Sequence, residues 1–415
     1  MDRPKLRRVE RYPLSREGES LVVVRDPLDL VEPFAIDARY AALLDTLDGT
    51  RTLAQIRQSL LMRGLADLDA EDLAEFVDEL ADQGLLDDDT FRARWAAIHQ
   101  EFEASERREP RRAGLLYPAE PAPLAAWLAP ALPAGPRPSQ AGVLAASEST
   151  SSYGEPPIAV IVPHQPPPQV ASLLRPLLSA LPEPETWKVI VILATDHAPG
   201  LLPFAATDKD QQTLLGPLRC HLPLIDELER RVPWLLREQI RQRSADAIEW
   251  TTLLLRALWG DRCPPVIPIV CGQTMLTRHE GREQADELLG ALELLLGEDT
   301  AAGRVLWWTA AELAHRGPAF GHAELPTREQ VEARDLELIE PLLAGRTEQL
   351  VRRCMDAEPS QRPSGTAALA TLVQMLPIGH RATLIGHEVV PAPGELPGWI
   401  GCAGVIIRNG RGSRT

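Results

Sequence analysis

The stretch "VIVILATDHAPG" (189–200) decides the fold. From Val189 to Ala194 every side chain is apolar, so the run has no solvent face and reads as a strand buried on both sides. Strands of that kind belong to parallel sheets covered by helices on both faces. The run then ends in Thr195-Asp196-His197, with the strand-breaking pair Pro199-Gly200 almost at once behind it. In open α/β sheets ligands sit outside the carboxyl ends of the strands, and a polar triplet at that position is a side chain being presented.

Working outward, three more apolar runs of strand length lie beyond Pro157: "IAVIVP", "PVIPIVC" and "RVLWWTA". They alternate with helical patterns around 168–181, 245–260, 282–297 and 327–344. The alternation predicts an α/β fold, a mostly parallel sheet with helices on both faces. Trp307 and Trp308 are adjacent on one run, so they are expected on opposite faces.

Three of the four runs lead to a histidine. "IAVIVPH" delivers His164, "VIVILATDH" delivers His197, and "VLWWTAAELAH" brings His315 a few residues later. Imidazoles that converge with a carboxylate suit a divalent transition metal and leave coordination positions open for substrate or oxygen. Glu249, on the amphipathic segment "SADAIEWTTLLLRALW", is the first carboxylate to consider. Ordinary loop histidines or helix caps are the competing reading. No P-loop, GxGxxG after a strand, HExxH or GxSxG occurs. Surface or capping roles are expected for His99, His221, His279, His322, His380 and His387. Cys220 and His221 are neighbours and would point to opposite faces of a strand.

The 415 residues allow two or three domains, and 44% hydrophobic content can fill their cores. A net charge of −16 argues against nucleic acid or an anionic membrane as the main partner. The opening "MDRPKLRRVERYP" has no apolar signal region and no run approaches a membrane span, so a cytoplasmic location is expected. Five scattered cysteines without a CxxC imply reduced thiols.

Residues 1–105 read as a separate α+β domain. "ESLVVVRDPLDLVEPFAI" (19–36) gives β segments on either side of Asp26-Pro27. Three helical patterns follow: one from Asp37, one opened by the Thr52/Gln55 capping box, and one from Asp69 with Leu73, Phe76, Val77 and Leu80 on one face. Two strands and three short helices suggest a winged-helix-like module. "LLDTLDGTRTLAQIRQSL" and "LADQGLLDDD" make it resemble the small PqqD-type domains that bind leader peptides. Eleven acids and no Lys or Arg between Gly64 and Thr90 disfavour DNA; a solvated acidic helix face is the plain explanation for them. Beyond it, 113–132 reads as an extended segment leading into a helix, and about 133–156 as a flexible loop. The large domain is expected over 109–415.

Over roughly 109–410 the chain resembles the Memo family, whose fold is that of class III extradiol dioxygenases (LigB-like) and which includes the B component of the AmmeMemoRadiSam system. "AGLLYPAEPAPL", "VPH", "TDHAPG", "ADAIEW", "VIPIVCG", "AELAHRGPAFG" and "GWIGCAGVII" fall in the family's order. The resemblance implies metal-site residues His164, His197 and His315, with Glu249 matching the last Glu of the family's "EHSxE" block. Asp246 stands at that block's His, and Glu312 at the Asp of "SSD". The late "CG" falls on Ser364-Gly365, with Cys354 ten residues away, and "HAGY" is replaced by "HQPP". Serine is a poor ligand for soft copper, whereas three imidazoles and a carboxylate suit iron or zinc.

The expectation is therefore a LigB/Memo-like α/β domain with a divalent-metal pocket (Fe, Zn or Cu) at His164, His197, His315 and Glu249. His315, Glu249 and Asp246 are the candidate catalytic groups, for metal-dependent redox chemistry on a substrate the sequence does not name. The alternative is a non-catalytic binding or scaffold protein whose amino-terminal domain recruits a peptide or a radical-SAM-system partner.

Overall fold

The computed structural model describes residues 3–16, 19–28, 30–64, 69–134, 155–198, 200–357, 362–393 and 396–410. Pro199, and residues 135–154 of the expected loop over 133–156, lie outside the described residues.

The amino-terminal part opens with three antiparallel strands, β1 (Glu10–Arg16), β2 (Glu19–Arg25) and β3 (Phe34–Asp37), with β2 in the middle. The sequence reading had two. β1 contains Pro13, which cannot donate to a ladder and reads as a break; the strand tolerates it because it forms an edge. Helices α1 (Ala41–Thr46), α2 (Leu53–Met62) and α3 (Ala70–Asp82) follow. Thr52 and Gln55 form the expected capping box at α2, and Asp69 caps α3. A fourth helix, α4 (Asp89–Ala104), was not foreseen; Phe102 is its one buried residue, so no apolar stripe marks it.

These elements share their own apolar cluster, which includes Val24, Leu43, Ile56, Leu73, Leu80 and Leu86. A buried ion pair closes it. Arg7 donates from Nη1 and Nη2 to the two carboxylate oxygens of Asp26 (3.1 and 2.9 Å) and from Nε to the Gly84 carbonyl (2.6 Å). Asp26 also accepts from the amides of Leu28 and Leu30, which fixes the turn at Asp26-Pro27.

The rest of the chain builds the large sheet. In order come β4 (Arg107–Arg108), α5 (Pro121–Leu128), β5 (Pro157–Val162), α6 (Ala171–Ser179), β6 (Val189–Thr195), β7 (Phe204–Ala206) and β8 (Asp210–Gln211). Then follow α7 (Leu222–Arg231), α8 (Asp246–Trp259), β9 (Val266–Cys271), α9 (Thr274–Thr277), α10 (His279–Ala301), β10 (Val305–Ala310) and β11 (His315–Arg316). The chain ends with α11 (Arg328–Leu343), α12 (Thr347–Asp356), α13 (Thr366–Met375), β12 (Arg381–Pro391) and β13 (Trp399–Arg408).

The sheet runs β11-β13-β5-β10-β6-β9-β7, with β12 also paired to β13. Its centre, β5-β10-β6-β9, is parallel. Both flanks are antiparallel: β13 against β5, β11 and β12 against β13, and β7 against β9. β12 and β13 are separated by only seven residues, 392–398, too short for a parallel crossover.

Adjacent positions on the central strands feed opposite layers. Val191, Leu193 and Trp307 pack with α7, α10 and α13, while Ile190, Ile192 and Trp308 pack with α5, α6 and α8. The two tryptophans thus sit on opposite faces, as expected. Among the described residues no helix is long and apolar enough to cross a membrane.

Replacing Arg7 by Met would leave the buried Asp26 carboxylate without its cation. Loss of one partner of such a pair costs about 3–5 kcal/mol. Urea unfolding followed by tryptophan fluorescence is expected to show Arg7→Met destabilised on that scale, and a loss under about 1 kcal/mol would contradict the assigned role.

Candidate functional site

The parallel strands β5, β6 and β10 end together, and each hands over a polar residue. His164 follows β5 by two residues, Asp196 and His197 follow β6, and Glu312 and His315 follow β10. His164 Nε2 lies 3.3 Å from His197 Nε2 and 3.5 Å from Glu312 Oε2. His315 Nε2 lies 3.3 Å from the same Glu312 oxygen. The other oxygen, Oε1, accepts from Gln165 Nε2 at 2.5 Å. The groups therefore form a chain of contacts, His197 to His164 to Glu312 to His315, along the sheet's carboxyl edge, with His164 and Glu312 buried, His315 half-buried and His197 exposed. Among the described residues no three His, Cys, Asp or Glu side chains converge on one point able to hold a metal ion.

Burial sets the ionisation of this cluster. It lowers the His164 imidazole, and it lowers His197 to about 3, with His164 and His315 adding to the effect. Burial alone would push Glu312 up, but His164 and His315, with hydrogen bonds from His315 and Gln165, outweigh it and hold the carboxyl at about 2. At neutral pH an ionised carboxylate thus faces neutral imidazoles at His164 and His197.

Next to His197, Asp196 receives Arg241 through Nε (2.6 Å) and Nη2, and the Ala198 amide (2.8 Å). Arg241 also binds Glu238 Oε2 and the Leu202 carbonyl, both at 2.8 Å. Gly200 and Gly272 make room for this guanidinium, since a Cβ on either would come within 2.7 Å of it. The polar triplet at the end of β6 therefore does two things: Thr195 Oγ1 ties back to the Ala310 carbonyl (3.1 Å), and Asp196 anchors the loop that carries His197.

Glu249, expected as a ligand, has its carboxylate engaged elsewhere and is not in this chain of contacts. Its carboxylate takes Arg108 Nη2 (3.2 Å) and the Arg111 amide (2.9 Å) on Oε2, and the Arg112 amide (2.8 Å) and Tyr117 hydroxyl (2.9 Å) on Oε1. Burial beside this carboxylate pushes the Tyr117 phenol well above its usual range, so it stays a donor. With four donors on two oxygens, Glu249 clamps the segment before α5 onto α8. The carboxylate among the histidines is Glu312.

One helical turn before Glu249, Asp246 accepts from Arg112 Nε at 2.6 Å. Asp246 and Arg112 line a cavity of about 30 Å³ with Thr195, Asp196, His197 and Ala198. Glu10, Arg25, Asp26 and Pro27 of the amino-terminal part complete its wall. The space admits one or two waters. Neither Gln165 nor Arg25 carried a sequence signal for this role, because each depends on a partner far away in the chain.

Ser364-Gly365 packs directly against the Glu312 loop. The Gly365 amide donates to the Glu312 carbonyl (3.1 Å), and a Cβ at Gly365 would fall 2.6 Å from that of Ala311. The buried Ser364 Oγ has no hydrogen-bond partner among the described residues. Cys354 lies in the apolar cluster instead, and burial raises its thiol to about 11 and those of Cys220 and Cys263 to about 12. His221 caps α7 through Nδ1, as expected of a capping residue. His387 departs from its expected surface role: the residue is half-buried with its side chain covered, and Nε2 lies 3.0 Å from Asp335 Oδ2.

His197 gives a pH signature. Its folded value near 3 lies below the ordinary 6.5, so between these values the unfolded chain binds a proton that the folded chain refuses. In protein stripped of divalent ions, this contribution to stability is complete above about pH 6.5 and drains away as pH falls toward 3. Urea titrations from pH 7 to pH 4 are expected to show a shallower pH dependence in His197→Gln, and an unaltered slope would contradict the lowered His197 value.

Residues 108–389, well over half of the chain, match the family described as Memo-like protein. The chain is also 24% identical over 264 residues to a MEMO1 family protein of Aquifex aeolicus, an alignment covering 63% of this chain and 65% of that protein. The aligned part therefore spans just under two thirds of the relative's length. The chain belongs to the Memo-like protein family.

Proposed function

We propose that the protein binds one divalent transition-metal ion with His164, His197, His315 and Glu312, and that it carries out metal-dependent redox chemistry of the dioxygenase type. The observation that supports this most is the spacing at the sheet edge. Two nitrogens bound to one ion at about 2.0–2.1 Å in tetrahedral geometry lie roughly 3.3–3.4 Å apart. His164 Nε2 and His197 Nε2 are 3.3 Å apart. Neutral imidazoles and an ionised carboxylate are also the protonation states that ligation requires. Small side-chain rotations are needed to bring the remaining donors onto the same point. A nitrogen-rich set with one carboxylate favours iron or zinc over copper, and Ser364 adds no soft ligand.

When bound, such an ion supplies a Lewis acid with open positions for substrate and oxygen. The chain's own groups do the rest. Gln165 holds Glu312 in place through Oε1, and Asp196 with Arg241 fixes the His197 loop. Asp246 Oδ1, partly exposed on the cavity wall, is placed to accept a proton, and Arg112 restrains it. Glu10, Arg25 and Pro27 narrow the entrance and limit water.

A second reading has support of its own. Because no three donors among the described residues meet at one point, the pocket fits a protein that has kept the fold without the chemistry. In that reading the amino-terminal part acts as the PqqD-like recruiter of a peptide or partner enzyme.

One experiment separates the two. Metal content is measured by mass spectrometry on protein purified without an affinity tag, beside His164→Ala/His197→Ala and Glu249→Gln. The metal reading expects near-stoichiometric iron or zinc in the wild type and at least a tenfold loss in the double histidine variant. Glu249→Gln should keep its metal while losing about 2 kcal/mol or more of stability, since it weakens a buried carboxylate clamp. A metal-free wild type that takes up neither Fe(II) nor Zn on titration would overturn the metal reading and leave the recruiting one.

A further inference from the structure

Behind the histidine edge lies a second cavity, of about 210 Å³, between β11, α11 and α12. Three arginines from three different elements line it: Arg316 from β11, Arg334 from α11 and Arg353 from α12. Two carboxylates, Asp335 and Glu337, share the wall. Asp335 is buried and already engaged, accepting from the Ala314 amide (3.1 Å) on Oδ1 and contacting His387 Nε2 (3.0 Å) on Oδ2. Glu337 is exposed, and the Arg353 guanidinium is held at its backbone carbonyl. Arg334 makes no hydrogen bond or ion pair with any described residue.

Three guanidinium groups around one small cavity repel one another, and an anion between them removes that cost. Guanidinium forks match the oxygens of phosphate two at a time. The floor of Ala314, Leu338, Ala357 and Pro363 is apolar, so the cationic rim meets a dry base. Drug-sized ligands occupy roughly 300–1,000 Å³, and this cavity is smaller.

We propose that this cavity binds a small phosphate-bearing anion, inorganic phosphate or a compact phosphate monoester, clamped by Arg316, Arg334 and Arg353. The site is distinct from the histidine cluster and is joined to it by two short links, from Ala314 to His315 and from Pro363 to Gly365. It stands whether or not the metal reading is correct.

Calorimetric titration of the full chain tests it, with inorganic phosphate and, separately, acetate at matched ionic strength in chloride buffer. Wild type, Arg334→Gln, Arg334→Gln/Arg353→Gln and His164→Ala/His197→Ala are compared. The expected result is saturable one-to-one phosphate binding that falls at least tenfold in the double arginine variant and persists in the histidine variant. The single Arg334→Gln breaks no internal bond, so it keeps the test valid should the double variant fold poorly; a loss of at least threefold is expected there. Absent saturation, equal affinity for acetate, affinity within twofold of wild type in Arg334→Gln, or loss only in the histidine variant would each overturn the proposal.

Discussion

A carboxylate taken out of water must be compensated on the spot, and much of this structure follows from where two such carboxylates found their donors. Glu312 and Glu249 are both about as buried as any residue in the chain. An uncompensated buried charge costs several kcal/mol, so each dictates the conformation of the segments around it. Glu249 is met by two backbone amides, a guanidinium and a phenol, all from 108–117. It fixes how the chain enters the large sheet. Glu312 is met by Gln165 and flanked by His164 and His315, so it draws the loops after β5 and β10 together. The same chemical requirement yields a clamp in one place and a reactive-looking cluster in the other. The difference lies in the partners: backbone amides cannot leave or titrate, whereas imidazoles can.

The amino-terminal part takes part in the second arrangement. Arg7 pins Asp26, Asp26 pins the turn at Pro27, and that turn forms one wall of the cavity beside His197. At the other end, Lys209 Nζ donates to the carbonyls of Glu103 and Ser105, and Arg107–Arg108 pairs with Asp210–Gln211. The stretch matched to the Memo-like family starts only at residue 108. Part of the cavity wall is therefore built from sequence outside the family match, from Glu10, Arg25, Asp26 and Pro27.

Legibility in the sequence followed burial. The four central strands were readable because both of their faces are covered, which leaves uninterrupted apolar runs, and a histidine after three of them could be seen at once. The antiparallel flanks were not readable, since strand direction is set by connection length and pairing partner rather than by the run itself. β1 was hidden by Pro13 and α4 by its lack of a buried stripe. The choice between Glu249 and Glu312 could not be made from pattern. Glu249 sits on a well-formed amphipathic helix, and what removes it from the histidines is a set of donors more than 130 positions earlier in the chain. Glu312 lies in a short loop without periodicity, next to Gly365, and nothing local marks it as the charge that the histidines share.

Ser364 shows how backbone contact can fix a position without fixing its side-chain chemistry. Gly365 is held to its identity by contact: its amide bonds the Glu312 carbonyl, and a side chain there would strike Ala311. That constraint keeps the preceding residue beside the Glu312 loop whatever its chemistry. A Cys at this place would bring a polarisable sulfur to the cluster, whereas Ser364 brings a hydroxyl that finds no partner among the described residues. Removing sulfur from a nitrogen-and-oxygen donor set shifts its preference from copper toward iron or zinc. Backbone contact thus holds Ser364 beside the Glu312 loop, where its side chain offers oxygen rather than sulfur.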